Sequence, residues 1–192
     1  KLITCEILKP VLELPAVHLV CRGGEVEDLL ARRGSHRLDI DLADEPASSS
    51  VKFRAYNHRL GVSEVALCAT AERAAALRRG FPKSLDGQPA LLPAENTPLR
   101  RALESWFRAR KIAPRVVAEF EDLALMKAMA AQERGFAPIP SVVLKESEER
   151  YGLRRIGLAE GCRAEFFAIT AERKVAHPAV ALLTERAPKL VF

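Results

Sequence analysis

The sequence predicts an α/β fold divided into two lobes, and three observations support this prediction. The chain has 192 residues, of which 48% are hydrophobic, so it is long enough to bury a sizeable core. Strand-like apolar stretches alternate with helix-like ones over short links, as in parallel α/β sheets. Two long apolar stretches, 62–70 and 162–173, bracket the middle of the chain, as expected if the backbone crosses twice between two lobes.

The first part of the chain is predicted to alternate between helix and strand. LITCEILKPVLEL aligns its apolar residues on one helical face, and Pro15 ends that helix. RLDIDLADEP alternates apolar residues with aspartates and stops at Pro46, which is typical of a strand. In order, the predicted elements are a helix over 2–14, a strand over 16–22, a helix over 25–33 and a strand over 37–46.

The rest of the chain is predicted to continue this alternation. Asn96 or Thr97 caps one of its helices, and Pro98 lies in the first turn of that helix. The same helix has an apolar stripe that is predicted to be core, formed by Leu99, Leu103, Trp106 and Phe107. The predicted strands are 51–60, 62–70, 91–92, 115–121, 135–139, 154–158 and 162–173. The predicted helices are 71–80, 98–111, 122–133, 141–152 and 177–187.

The composition argues against several classes of function. The net charge is +5, but the basic residues are spread out and only 6% of residues are aromatic, so this chain is not expected to bind nucleic acid by itself. No apolar run suggests a transmembrane helix, and the opening KLITCEILKP lacks a signal-peptide pattern. The cysteines have no metal-ligand spacing, which predicts reduced thiols in a cytoplasmic protein without a metal or cofactor.

Several stretches together resemble the effector-binding domain of LysR-type transcriptional regulators. RLDIDLADEP is similar to a strand near the family's hinge, and LLPAENTPLRRALESWF to one of its helices. ALMKAMAAQERGFAPIPSVV is similar to a helix and its Pro-ending loop, and ITAERKVAHPAVALL to the last crossing strand and C-terminal helix. EFEDLALMKA and AERKVAHPAV are most similar to activators of sodium/proton antiporter genes. Gln132-Glu133-Arg134 departs from the family's Gly-rich turn, which leaves the role of this loop open.

This resemblance implies two Rossmann-like lobes of the periplasmic-binding-protein type II, with an effector cleft between them. One lobe would comprise 1–64 with 165–192 and would lack its first strand, and the other would comprise 65–164. The resemblance implies a cytoplasmic, non-enzymatic activator that forms a homodimer or homotetramer and responds to sodium, lithium or pH. Its winged helix-turn-helix would contact DNA from outside this chain. The alternative is a periplasmic-type solute-binding protein for a small anionic molecule.

Three carboxylates, Glu119, Glu121 and Asp122, stand where a strand is followed by a helix. In one interpretation, Asp122 caps the helix, Glu121 is exposed and Glu119 pairs with an arginine. In a second, Glu119 or Asp122 faces the effector cleft, because open α/β sheets bind ligands at the carboxyl ends of their strands, and a hard cation prefers such oxygen ligands. A third, a catalytic carboxylate pair, has no nucleophile and base to support it.

The resemblance extends the candidate sites to other loops and to a dimer interface. Asn96 and Thr97 either cap a helix or bind an anionic group there. The candidate effector residues are Gly23, Gly24, Glu25, Asn96, Thr97, Glu119, Asp122 and Pro138. In the family, the helix that matches 98–110 packs against the partner's first helix, so the candidate dimer residues are Cys5, Lys9, Arg100, Arg101, Glu104 and Arg108.

Overall fold

The computed structural model describes residues 2–15, 17–21, 39–47, 55–170 and 177–185, and the side chains from residue 7 onward. The helices are α1 (Leu2–Leu12), α2 (Ala71–Arg78), α3 (Pro98–Arg110), α4 (Leu123–Ala130), α5 (Leu144–Tyr151) and α6 (Pro178–Glu185). The strands are β1 (Asp41–Ala43), β2 (Tyr56–Thr70), β3 (Pro89–Pro93), β4 (Arg115–Phe120), β5 (Ala137–Pro140) and β6 (Leu153–Thr170). Within these ranges, no helix is both long and apolar enough to span a membrane.

The chain divides into two compact units. The central unit contains residues 63–164 together with 1–2, and the terminal unit contains 3–62 and 165–192. The long strands β2 and β6 each contain one of the main boundaries in sequence, so the chain passes from one unit to the other inside a strand rather than in a loop.

Two sheets are formed by the described strands. The larger has the order β1-β6-β2-β5, with β1 antiparallel to β6 in the terminal unit and β5 antiparallel to β2 in the central unit. The smaller is the parallel pair β3 and β4, with Leu92 opposite Glu119 and Pro93 opposite Phe120. Because these two strands run in the same direction, α3 and α4, which follow them, begin at the same edge of the sheet.

Gly135 allows β3 to approach the segment that leads into β5. The Phe136 N–H donates to the Pro89 carbonyl at 3.0 Å, and the Leu91 N–H donates to the Phe136 carbonyl at 2.9 Å. A Cβ atom at Gly135 would lie only 2.5 Å from the Pro89 oxygen, so a larger residue would force these backbones apart. The glycine therefore joins the parallel pair to the segment that leads into the larger sheet.

Each unit has its own apolar core. In the central unit the largest fully buried side chains are Leu67, Leu85, Leu91, Leu92, Leu103, Met126, Phe136, Ile139 and Leu153. In the terminal unit the buried apolar residues include Ile7, Val11, Leu60, Ile169, Val180 and Leu183. All four members of the predicted stripe on α3 are buried, which confirms that prediction.

Several predicted elements differ from the structure. Residues 17–21, within a predicted strand, have no regular secondary structure. Of the strand predicted over 37–46, residues 39–46 are described, and only β1 among them is strand. The strands predicted on either side of Gly61 form one strand, β2, because the chain stays extended through this glycine. The two strands predicted around Gly161 are likewise one strand, β6. The helix predicted over 25–33 lies outside the described residues.

Candidate functional site at two strand–helix junctions

Two loops at the carboxyl edge of the parallel pair bring the predicted site residues together. We call residues 94–100, between β3 and α3, the first junction, and residues 119–124, between β4 and α4, the second junction. The Ala94 N–H donates to the Phe120 carbonyl at 3.0 Å, so the loop after one strand is bonded to the end of the other.

At the first junction, Thr97 is the N-cap of α3. Its hydroxyl accepts a hydrogen bond from the Arg100 N–H at 3.3 Å and donates to the Ala94 carbonyl at 2.9 Å. Pro98 occupies the first turn, where its missing N–H costs no helical hydrogen bond. Asn96 is exposed, and its carbonyl accepts a hydrogen bond from the Arg101 guanidinium at 2.9 Å. The predicted cap is therefore confirmed and is assigned to Thr97.

At the second junction, Asp122 is the N-cap of α4. Its Oδ1 accepts a hydrogen bond from the Ala124 N–H at 2.9 Å, and its negative charge lies at the positive end of the helix dipole. Glu121 beside it is exposed. The predictions of a cap at Asp122 and an exposed Glu121 are both confirmed.

Arg100 connects the two junctions. Its side chain is only 6% exposed, and its Nη1 donates to Glu119 Oε1 at 2.8 Å and to the Pro93 carbonyl at 2.9 Å. Its Nε donates to Glu104 Oε1 at 2.7 Å. Although burial lowers the pKa of Arg100, the hydrogen bonds that it donates to Glu119 and Glu104 outweigh this effect and raise that pKa above its ordinary value. The prediction that Glu119 pairs with an arginine is thus confirmed.

Besides forming structural bonds, the junctions expose oxygen atoms to solvent. Glu119 keeps 41% of its side chain exposed although Arg100 holds its Oε1, and the neighbouring Glu95, Asn96 and Glu121 are also exposed. Such oxygens can accept hydrogen bonds or contact a hard cation. Among the described residues, however, no three His, Cys, Asp or Glu side chains are grouped as a metal-binding cluster. A cation at this edge would therefore need backbone oxygens and water as further ligands.

A second buried cation, Lys127 of α4, was not foreseen from the sequence. It is 3% exposed, and its Nζ lies 3.9 Å from Glu146 Oε2 of α5 and 5.6 Å from the ring centre of Tyr151. Both carboxylate oxygens of Glu146 are buried, and its Oε1 forms an ion pair with the Nε of the exposed Arg150 at 3.1 Å on the same helix. Burial lowers the pKa of Lys127, and the attraction of Glu146 does not compensate. The signal in the sequence was a single lysine on an otherwise apolar helix, directly after the buried Met126.

The other predicted effector residues are separate from the junctions in sequence or are not described. Pro138 is buried in β5, opposite Leu67 of β2. Gly23, Gly24 and Glu25 lie outside the described residues.

The candidate dimer residues have different environments. Lys9 is exposed on α1, which also contains Cys5, whose side chain is not described. Arg101 and Arg108 are exposed on α3. Arg100 and Glu104 bind each other within the chain, as described above, so neither is free to pair with a partner without a change of bonding.

The fold and the junctions are those of an α/β domain with parallel strands, a class of fold that binds ligands at the carboxyl ends of such strands. The sequence profile of the LysR substrate binding domain matches residues 12–189, which is most of the chain. The chain belongs to this family, and the predicted family and fold class are confirmed.

One curated relative and two solved structures illustrate the similarity. The transcriptional activator protein NhaR of Escherichia coli K12 is 29% identical over 180 residues, which cover 94% of this chain and 59% of the relative. The CcmR regulatory domain of Synechocystis PCC6803, solved with 2-PG, has a TM-score of 0.67 at 12% identity and covers 99% of this chain and 91% of that one. Vibrio fischeri DarR, solved with DNA, has a TM-score of 0.71 at 16% identity, with coverage of 97% and 65%. The chain thus spans about three-fifths of the length of NhaR.

Proposed function

We propose that this chain is the effector-sensing domain of a DNA-binding transcriptional activator, and that its effector acts on the two junctions. The observation that supports this most directly is the Arg100 bridge, because it couples two ligand-accessible loops at the edge where α/β sheets bind ligands. The similarity to NhaR, an activator, and to DarR, solved with DNA, supports the regulatory role.

Sensing requires two conformations with different affinities for the effector. An effector that binds both equally well changes nothing, whereas a differential affinity shifts the equilibrium by that difference. In this proposal the two conformations differ at the junctions, and a winged helix-turn-helix domain outside this chain reads the difference as altered DNA binding.

We further propose that the effector is sodium, lithium or a proton. The support is the pair of carboxylates Glu119 and Asp122, both at the second junction, together with the similarity to NhaR. Protonation of these groups would couple cation binding to pH, because a neutral carboxyl is a poor ligand for a hard cation.

Calorimetry with sodium chloride and potassium chloride at equal ionic strength tests this effector. We expect saturable heat with sodium and none with potassium, and a loss of the sodium signal in Glu119→Gln. Glu121→Gln is the matched control, since Glu121 is an exposed neighbour that is not in the Arg100 network. Equal responses to the two salts, or a Glu121 effect as large as that of Glu119, would exclude the sodium proposal.

We propose that the chain is not an enzyme and works in the cytoplasm. The two carboxylates that could have formed a catalytic pair are engaged in structural bonds, Glu119 with Arg100 and Asp122 with the Ala124 N–H. Cys68 and Cys162 are buried free thiols, which suits a reducing compartment. The complete gene tests both points: a helix-turn-helix upstream of residue 1 is expected, whereas an export signal there would favour a periplasmic solute-binding protein.

We also propose that two copies associate through β4 and α3. Val116 of β4 is 41% exposed and lines a groove of about 330 Å³ together with Phe107, Arg108 and Ile112. An exposed apolar side chain beside such a groove favours a protein contact. Sedimentation analysis should show a dimer that Val116→Glu dissociates and that Leu125→Glu, on exposed α4 surface, leaves intact. A monomer at all concentrations would contradict this interface.

A further inference from the structure

A second concave surface of the central unit is built by elements other than the two junctions. It is a groove of about 800 Å³ between the end of α2, the loop that follows it, α5 and the first half of β6. Its volume is in the range that is typical of pockets for small molecules.

The groove contains three arginines that form no ion pair with any carboxylate in the described part of the chain. Arg78 donates its Nη2 to the Arg155 carbonyl at 2.5 Å, and Arg154 donates its Nη1 to the Glu148 and Leu153 carbonyls at 3.4 Å and 3.3 Å. The guanidinium of Arg155 makes no hydrogen bond or ion pair with any residue that the structure describes. Each guanidinium has five N–H donors, so most of the donors in this groove remain available to a ligand.

An aromatic ring lies beside these arginines. A Cβ atom at Gly157 would be 2.5 Å from Cε1 of Phe81, so the Phe81 ring lies directly against the glycine backbone of β6. Trp106 supports the ring at a centroid distance of 6.0 Å. Glycine at this position therefore fixes a flat apolar wall within reach of the Arg155 side chain, and both residues line the groove.

Two carboxylates, Glu148 and Glu160, also line the groove. Neither forms an ion pair with any of the three arginines within the described residues, so the cationic groups are not neutralised. The carboxylates are hydrogen-bond acceptors, and they disfavour a ligand that is purely anionic. Together the lining combines guanidinium donors, an apolar wall and carboxylate acceptors.

We propose that this groove binds a small organic anion that carries a flat apolar body, a carboxylate, and a hydroxyl or amino group. The carboxylate would be bound by Arg155, with the planar geometry that guanidinium and carboxylate groups share. The apolar body would pack on Phe81, and the hydroxyl or amino group would donate to Glu148 or Glu160. This site would be additional to the effector site proposed at the junctions, and it does not depend on the identity of that effector.

A titration followed by NMR on the isotope-labelled 192-residue chain tests the proposal, with 4-hydroxybenzoate as the probe. Saturable shifts are expected at the amides of Arg155 and Gly157, with smaller ones at the junction residues Thr97 and Asp122. Arg155→Gln should weaken binding about tenfold or more, the range of one charged hydrogen bond. Arg163→Gln is the matched control, since Arg163 is exposed on the same strand and does not line the groove.

Three outcomes would overturn the proposal. The first is an equal response to inorganic phosphate, which would indicate only general attraction of anions to the arginines. The second is an equal affinity for phenol, which lacks the carboxylate. The third is unchanged affinity in Arg155→Gln, provided that its spectrum remains that of the folded protein.

Discussion

Arg100 and Lys127 are both buried cations on helices that follow the parallel strands, but their surroundings differ. Arg100 has hydrogen bonds of 2.7 to 2.9 Å to two carboxylates and a carbonyl. Lys127 has one carboxylate at 3.9 Å, beyond hydrogen-bond distance, and an aromatic ring. The pKa of Arg100 is raised and that of Lys127 is lowered. Both side chains are nearly inaccessible to solvent, but at Arg100 the hydrogen bonds to the carboxylates outweigh the effect of burial on the pKa, whereas at Lys127 the attraction of Glu146 does not.

Removing Arg100 gives the largest expected effect. Arg100→Met should lower the free energy of unfolding by about 3 kcal/mol, because it breaks a buried charge network. The figure is at the low end for such networks, since Glu104 and Glu119 are partly exposed and can be rehydrated. Urea unfolding measures the change, and Arg108→Met on the exposed side of α3 serves as the control. Equal effects of the two substitutions would show that Arg100 is no better satisfied than a surface arginine.

Replacing the Lys127–Glu146 ion pair should instead raise the free energy of unfolding. The double variant Lys127→Met, Glu146→Met should be about 1 kcal/mol more stable than the wild type, because a buried pair at 3.9 Å is exchanged for apolar contacts. Arg150, which also pairs with Glu146, is exposed and can be hydrated by solvent after the substitution. The equivalent double variant at Arg100 and Glu119 should be less stable than the wild type. Thermal unfolding of both double variants measures the two changes in stability. Changes of the same sign would contradict the proposed difference between the two buried cations.

Removing either helix cap at the junctions should change the stability by a smaller amount. Asp122→Ala and Thr97→Ala should each cost about 1 kcal/mol, the usual range for N-caps. The Asp122 effect should be the larger, because Asp122 has the shorter bond, 2.9 Å against 3.3 Å, and a charge that favours the helix dipole. Chemical denaturation should also show that the Asp122 difference shrinks in high salt. A salt-independent difference would mean that the charge contributes nothing.

The smallest expected effect is a dependence on pH. Because the folded-state pKa of Lys127 is below its ordinary 10.5, the unfolded chain binds more protons between these two values. The stability of the wild type should therefore rise, relative to Lys127→Met, as the pH increases through that window. Arg100, whose pKa is raised above its ordinary value, should give no such dependence in the same range. Denaturant midpoints of both proteins between neutral pH and pH 10.5 provide the test, and parallel curves would contradict it.

The caps were predictable from sequence, whereas the buried lysine was not. The caps Thr97 and Asp122 are predictable locally, because each is a cap residue next to a helical pattern. An ion pair between Glu119 and an arginine was also predicted, but the sequence did not indicate which arginine. Arg100 is 19 residues from Glu119, and its exposure depends on how α3 packs against β4. Lys127 faces α5 rather than solvent for the same reason. Local patterns identified the ends of elements, while pairings between elements required the fold.

The continuity of β2 was also outside the reach of local patterns. Separate strands, 51–60 and 62–70, were predicted on either side of Gly61, but the chain stays extended through this glycine, because cross-strand bonds in a sheet can hold it. Likewise, Val116 and Val117 of the predicted strand 115–121 are both partly exposed, because β4 has a described strand partner only in β3. Burial at a sheet edge is decided by neighbours, which a single stretch of sequence does not specify.

The Arg100 bridge has a mechanical consequence for the proposed sensor. Its backbone belongs to the first turn of α3, but its guanidinium holds the last residues of both parallel strands, through Pro93 and Glu119. The first turn of α3 cannot slide along the sheet edge without either dragging the end of β4 with it or breaking the bond to Glu119. A ligand that displaces one of the two loops must therefore either displace the other loop as well or break the bond to Glu119, so the two loops do not respond as independent contacts.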